Sequence, residues 1–182
     1  MLKPKDILDE KEKVLHKVCE EVNFPLSAED KKLINDSLEY LRLSQDEEYA
    51  NKNGMRGGMG LAFPQLGLSK RIFVICYKQE DGTFTEYTVI NPQIKRVSEE
   101  MIYVEEGEGC LSVNREVDGI VPRHARVTVS YYDIDGNLCE SRVREEISIA
   151  FQHEIDHLNG ILFVDKIDKK NPFKDSEKYR AI

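Results

Sequence analysis

The sequence predicts an α+β protein, β-rich, with antiparallel sheets packed around a central helix that carries two histidines and an amphipathic helix toward the N-terminus. Three observations predict it. β-Branched and aromatic runs fill the middle of the chain, apolar residues recur at helical spacing on either side of them, and Asp135-Gly136 marks a hairpin turn after the last run.

The first helix is expected from Ser27 to about Tyr49. Leu33, Ile34, Leu38 and Leu41 recur at helical spacing, Ser27 is a good N-cap, and Glu29 and Asp30 set negative charge against the positive end of the helix dipole. A glycine-rich stretch, GMRGGMG, follows. Arg71 to Tyr77, Glu86 to Asn91 and Ala125 to Tyr132 read as strands. The segment DIDGN invites a calcium-loop reading. Counted from Asp133, however, the sixth and twelfth places hold Leu138 and Arg144, where such a loop needs glycine and a bidentate glutamate, so a turn accounts for it better. From about Ile147 the pattern is helical again, with Ile149, Ala150, Phe151, Ile155 and Leu158 apolar and Asn159-Gly160 as a stop. No repeat, low-complexity tract or linker divides the chain, and a single domain over 1–182 is expected.

A chain of 182 residues can bury a core without disulfides or a structural metal, so a bound metal is expected to be functional. The net charge of -8 argues against a nucleic-acid grip, which needs clustered Lys and Arg. The start of the chain lacks a signal-type apolar stretch and no long uncharged apolar run occurs, so a cytoplasmic protein with no membrane partner is expected. Cys19, Cys76, Cys110 and Cys139 stand at irregular spacings without CxxC pairs, unlike a disulfide framework or a zinc ribbon.

The stretch from Phe151 to Gly160, FQHEIDHLNG, carries the chemistry. Four residues make slightly more than one helical turn, so His153 and His157 project from one face and can hold one metal ion. Glu154 then sits beside the ion, free to act as general base on a water there. An isolated HExxH is most often an ordinary amphipathic helix, so a third ligand decides the matter. Cys110 in EGEGCLSV is the candidate. Gly109 lets the backbone approach closely, as a ligand thiolate requires, although a buried thiol at a strand end is the alternative. One Cys and two His leave a tetrahedral position open, as catalytic sites do. In GGMGLAFPQLG, Gln65 beyond the rigid Pro64 is placed as an oxyanion-stabilising amide would be; a solvated turn is the alternative.

Together, Gly58 to Gln65 (GMGLAFPQ), Glu108 to Ser112 (EGCLS) and His153 to His157 (HEIDH) resemble, in order, the three motifs of the peptide deformylases. The helix ending in SQDEE and the stretches RGGMG, GEGCLSV and RHARVTV are more similar to the longer form found in Gram-positive bacteria. The resemblance implies hydrolysis of the N-formyl group from the formyl-methionine of nascent polypeptides at the ribosome, with release of formate, by a cytoplasmic monomer. It implies one divalent ion on Cys110, His153 and His157, natively Fe(II), with Zn, Ni or Co able to replace it. It implies Glu154 as general base, the Gln65 amide and the Leu111 N–H as oxyanion donors, and Gly60 on the substrate main chain. Ile149 and Ala150, one turn before His153, could line the methionine pocket or serve as plain core. Arg123 resembles an arginine that fixes the metal helix together with Asp156, against the alternative of a surface ion pair.

Phe63 departs from the pattern, which has a small Ala there. Its ring is expected to enter the cleft as a substrate-side residue, narrowing the entrance. That keeps a non-catalytic or altered-specificity relative in play, and a metallopeptidase of another family is the further alternative, although zincins usually complete the site with His or Glu rather than Cys.

Overall fold

The computed structural model describes residues 1–182. Helix α1 spans Ala28–Ser44, with the Ser27 side chain accepting from the Asp30 N–H, and buries Ile34, Leu38 and Leu41. The helical segment expected as far as Tyr49 breaks at Gln45. Helix α2, Glu47–Asn53, starts afresh with the Asp46 side chain accepting from the Tyr49 N–H, and ends at Gly54 in the left-handed conformation. The Gln45 amide turns inward instead, donating to the carbonyls of Gly58 (3.0 Å) and Cys76 (2.8 Å).

Strand β1 (Gly60–Ala62) runs into a 3-10 turn, Phe63–Leu66. Then come β2 (Ile72–Lys78), β3 (Phe84–Val97), β4 (Met101–Tyr103), β5 (Arg123–His124), β6 (Arg126–Tyr132) and β7 (Leu138–Arg144). Helix α3 (Glu145–Leu158), the short α4 (Phe163–Lys166) and β8 (Arg180–Ala181) complete the chain. β3 runs well past the expected Asn91, absorbing Pro92 through irregularities in its register with β6. The turn at Asp135-Gly136 joins β6 to β7, with the Asp133 carboxylate accepting from the N–H groups of Asp135 and Asn137.

Five antiparallel strands form one sheet in the order β1-β2-β3-β6-β7, and β5-β4-β8 form a second, in which β4 and β8 run parallel. The expected α+β class with antiparallel sheets is what the chain adopts. The large sheet is covered on both sides, and β2 explains how. Phe73 and Ile75 pack with Phe151 and Ile155 of α3, whereas Ile72, Val74 and Cys76 pack with Ile34, Leu38 and Leu41 of α1. The alternation of a strand's side chains therefore feeds two cores, and Ile72 to Cys76 is apolar throughout for that reason. Helix α3 is the more deeply buried partner: from Ser148 to Leu158 all but Ala150 are buried. No helix is long and apolar enough to cross a membrane.

Candidate active site

The last two turns of α3 place His153 and His157 on one face, ring centroids 5.0 Å apart. The loop after β4 brings Cys110 against them, its Sγ 3.3 Å from His157 Nε2. One donor atom from each of Cys110, His153 and His157 lies within 4.8 Å of the others. The backbone around Cys110 is folded onto its sulfur, since the Ser112 N–H donates to Sγ (3.4 Å) and the Val113 N–H to the Cys110 carbonyl (3.1 Å).

The surroundings suit a cation. Glu108 Oε2 bonds His153 Nδ1 at 2.9 Å, which leaves the other ring nitrogen for the centre. Glu108 also takes a two-pronged bond from Arg123 (2.7 and 2.9 Å), whose remaining nitrogen bonds Asp156 on α3. Arg123 is 2% exposed, so the pair is an interior tie between the Cys110 loop, β5 and α3, not a surface one. Burial opposes ionisation of Glu108, but His153 and Arg123 outweigh it and hold the carboxyl down at about 2. Burial chiefly, and then the nearby His153, depresses His157 well below the usual imidazole range, as a neutral ligand requires. His153 goes the other way: burial disfavours its charge, yet the bonds to Cys110 and Glu108 keep it well above that range. A thiol and two imidazoles converging inside an acidic shell, His157 through the Nε2 that faces Cys110 Sγ, fit a divalent ion.

Glu154 is 3% exposed, its Oε2 has no hydrogen-bond partner, and burial pushes its carboxyl up to about 7. A proton acceptor poised near neutrality is what water activation needs. Gly60 is required for space here: a Cβ on it would stand 2.3 Å from Glu154 Oε1. Gln65 is oriented at both ends. Its Oε1 accepts from the Ala62 N–H (2.8 Å), and its Nε2 donates to Ser112 Oγ (3.1 Å) and points at Cys110 Sγ (3.6 Å). The Leu111 N–H donates to no group of the protein.

A cleft of about 520 Å³ opens onto this centre. Gly60, Gln65, Cys110, Leu111, Ile149, Ala150, His153 and Glu154 line it, with His157 behind them. Phe63 does not line it, which corrects the expectation from sequence. Its ring, 1% exposed, packs among Leu61, Ile72 and the α1 residues of the opposite core. Opening the 3-10 turn just past β1, it shares the core of Leu61, away from Gly60 and the Glu154 carboxylate.

Sequence reasoning gave no role to Glu108, Ser112 or Arg56. Arg56 bonds the Leu111 carbonyl, the Val113 carbonyl (2.8 Å) and Asn114 Oδ1 (2.8 Å), gripping the loop that carries Cys110. The only local signals were an acid two residues before the candidate thiol and an arginine among glycines.

The sequence profile described as polypeptide deformylase matches residues 4–173. A peptide deformylase of Shouchella clausii is 47% identical over 175 residues, covering 96% of each chain. One of Listeria welshimeri is 48% identical over 172 residues, 94% of each. Among solved structures, the peptide deformylase of Thermotoga maritima aligns with a TM-score of 0.70 at 31% identity, over 89% of this chain and 96% of that one. A Met-Ala-Ser-bound class I type b peptide deformylase of Acinetobacter baumannii aligns with a TM-score of 0.69 at 29% identity, over 88% and 96%.

Proposed function

This chain belongs to the polypeptide deformylase family, and from that premise we propose how its own residues carry out the family's reaction, removal of the N-formyl group from formyl-methionine polypeptides with release of formate. One observation carries the assignment of roles: three convergent donors, an unpartnered buried carboxylate and an oriented amide meet at the floor of one cleft.

Cys110, His153 and His157 hold one divalent ion, natively Fe(II), with Zn, Ni or Co able to replace it. When bound, the ion supplies Lewis acidity, polarising the formyl carbonyl and lowering the pKa of water toward neutrality. Glu154 takes the proton of the attacking water and later returns it to the departing amine. Gln65 Nε2 and the Leu111 N–H donate to the oxygen on which negative charge develops. Gly60 meets the substrate main chain, and Ile149 and Ala150 receive the methionine side chain. Glu108, Arg123 and Asp156 fix the His153 ring and the helix beneath it. The whole chain acts as one catalytic domain, a cytoplasmic monomer meeting nascent chains at the ribosome.

The test is formate release from formyl-Met-Ala-Ser by protein purified without oxygen, with metal content measured on the same sample. Turnover tied to one ion per chain supports the assignment; an inert, fully loaded protein overturns it. Fe(II)-loaded protein should lose activity in air faster than the Ni-loaded form, because iron and the thiolate oxidise together. Equal rates of decay would contradict oxidation of iron and the Cys110 thiolate as the cause of the loss.

A further inference from the structure

The N-terminal segment ahead of α1 does not line the cleft, yet it touches each of the three elements that build the centre. The Leu8 N–H donates to the Gln65 carbonyl and the Glu10 N–H to the Ser112 carbonyl, 2.8 Å each. Farther along, the Cys19 N–H donates to the Leu158 carbonyl at the end of α3 (2.8 Å). Gly160 is packed there so closely that a Cβ on it would stand 2.8 Å from the backbone of His16 and Lys17. The segment is itself pinned, since Leu15 is fully buried and His16 Nε2 donates to the Glu10 carbonyl (2.7 Å).

The two oxyanion donors come from different parts of the fold. Gln65 follows β1 of the large sheet and Leu111 follows β4 of the small one. The Gln65 amide does bond Ser112 Oγ and Cys110 Sγ, but with the same nitrogen that must meet the substrate, so that link alone cannot fix the amide once substrate binds. The bonds from Leu8 and Glu10 engage main-chain carbonyls that take no part in the reaction and can persist through it. Side chains reinforce the second of them. Arg115 bonds both carboxylate oxygens of Glu10 (2.7 and 3.1 Å), and Asn114 Nδ2 donates to Asp9 (3.0 Å).

We propose that Leu8 to Glu10 form a positioning strap that holds the Gln65 amide and the Leu111 N–H at the separation the developing oxyanion needs. The inference rests on the deformylase reading above and adds to it what sets one donor against the other. Misplacing such groups by about 1 Å can cost on the order of 100-fold in rate. Donors engaged chiefly in the transition state show their loss in kcat, with KM little changed. A strap that served stability alone would leave kcat per folded, metal-loaded chain as it was.

The experiment loosens the strap from outside the cleft. Leu8→Pro deletes the N–H that holds Gln65, and Arg115→Gln weakens the grip of Glu10 on the loop that carries Leu111. Formate release from formyl-Met-Ala-Ser is measured per bound metal, beside urea unfolding. Leu8→Pro should lower kcat about 10- to 100-fold and Arg115→Gln about threefold to fivefold, with KM and metal content within about twofold of native. Because Leu8 acts through Gln65, Leu8→Pro introduced into Gln65→Ala should cost at most about twofold more. A loss of stability with kcat per metal unchanged overturns the strap while the deformylase reading stands, as does a Leu8→Pro loss that is the same with and without the Gln65 amide. If Leu8→Pro does not fold, Arg115→Gln decides, and an unchanged kcat overturns the proposal. No turnover by the native enzyme overturns the deformylase reading and the strap with it.

Discussion

The segment from Gly60 to Gln65 has two sides that obey different rules. Toward α3, Gly60 leaves room for the Glu154 carboxylate, Ala62 packs near Phe151 and its N–H anchors Gln65, and the Gln65 amide faces Cys110. Toward α1, Leu61 and Phe63 fill volume among Ile34, Leu38 and Leu41. On the first side, position and the absence of atoms matter; on the second, mass does. Substitutions on the two sides should therefore separate into those that change turnover and those that change stability.

The largest effect should come from the chemical side. Glu154→Gln keeps the shape and the three donors but removes the proton acceptor, so kcat should fall on the order of 10³-fold with metal content unchanged. Loss of metal in that variant would instead make Glu154 a structural support of the ion. On the packing side, Phe63→Ala should cost roughly 3 to 5 kcal/mol in urea unfolding, since a buried ring leaves a cavity. Its kcat/KM on formyl-Met-Ala-Ser should stay within a fewfold of the parent at a temperature where the variant remains folded. Tighter hydroxamate binding with no loss of stability would return the ring to the cleft and break the comparison.

A third substitution tests whether the site's acidic shell belongs to the chemical side. Glu108→Gln leaves a neutral partner on His153 Nδ1 and deprives Arg123 of its charged counterpart. Metal affinity should weaken roughly 10- to 100-fold. If stability falls while metal affinity holds, Glu108 serves only to neutralise Arg123.

Much of this arrangement was legible in the sequence, and the exceptions have physical causes. Helix α3 and its paired histidines followed from periodicity, because that pattern is local, whereas the glycine-flanked setting of Cys110 left a buried thiol as open as a ligand and only the resemblance of the ordered motifs favoured the ligand. The side taken by Phe63 could not be read from alternation, because β1 ends at Ala62 and a 3-10 turn begins at Phe63. The break between α1 and α2 was signalled by Asp46 followed by Glu47 and Glu48, an N-cap with an acidic first turn. What fixes Gln45 in that break, the carbonyls of Gly58 and Cys76, lies far away in sequence. The same holds for the N-terminal segment, where the N–H groups of Leu8 and Glu10 bond the carbonyls of Gln65 and Ser112 (2.8 Å each) and tie two of the motifs together. Pairings over such separations leave no local period to read.

The smallest expected effect uses two cysteines, one from each side. Cys110 lies at the floor of the cleft, whereas Cys76 is fully buried on the α1 face of β2, its Sγ 3.7 Å from Glu86 Oε1. Burial first, and then the Glu86 carboxylate, push the Cys76 thiol up to about 12. An unfolded thiol ionises near 8.5, so the raised folded value fixes the sign of the effect. The stability that depends on a neutral Cys76 is fully present below the unfolded pKa and is lost as pH rises from there toward 12. Between pH 8 and pH 10 the loss from this group should be about 2 kcal/mol. Other groups titrate in the same window, so the informative quantity is a difference: native protein and Cys76→Val, each unfolded in urea at pH 8 and at pH 10. The native protein should lose more stability over that interval than the variant, by about that amount. Identical losses would mean that the Cys76 thiolate is tolerated where it lies and that this face of the sheet admits charge, against the division of the segment into a chemical side and a packing side.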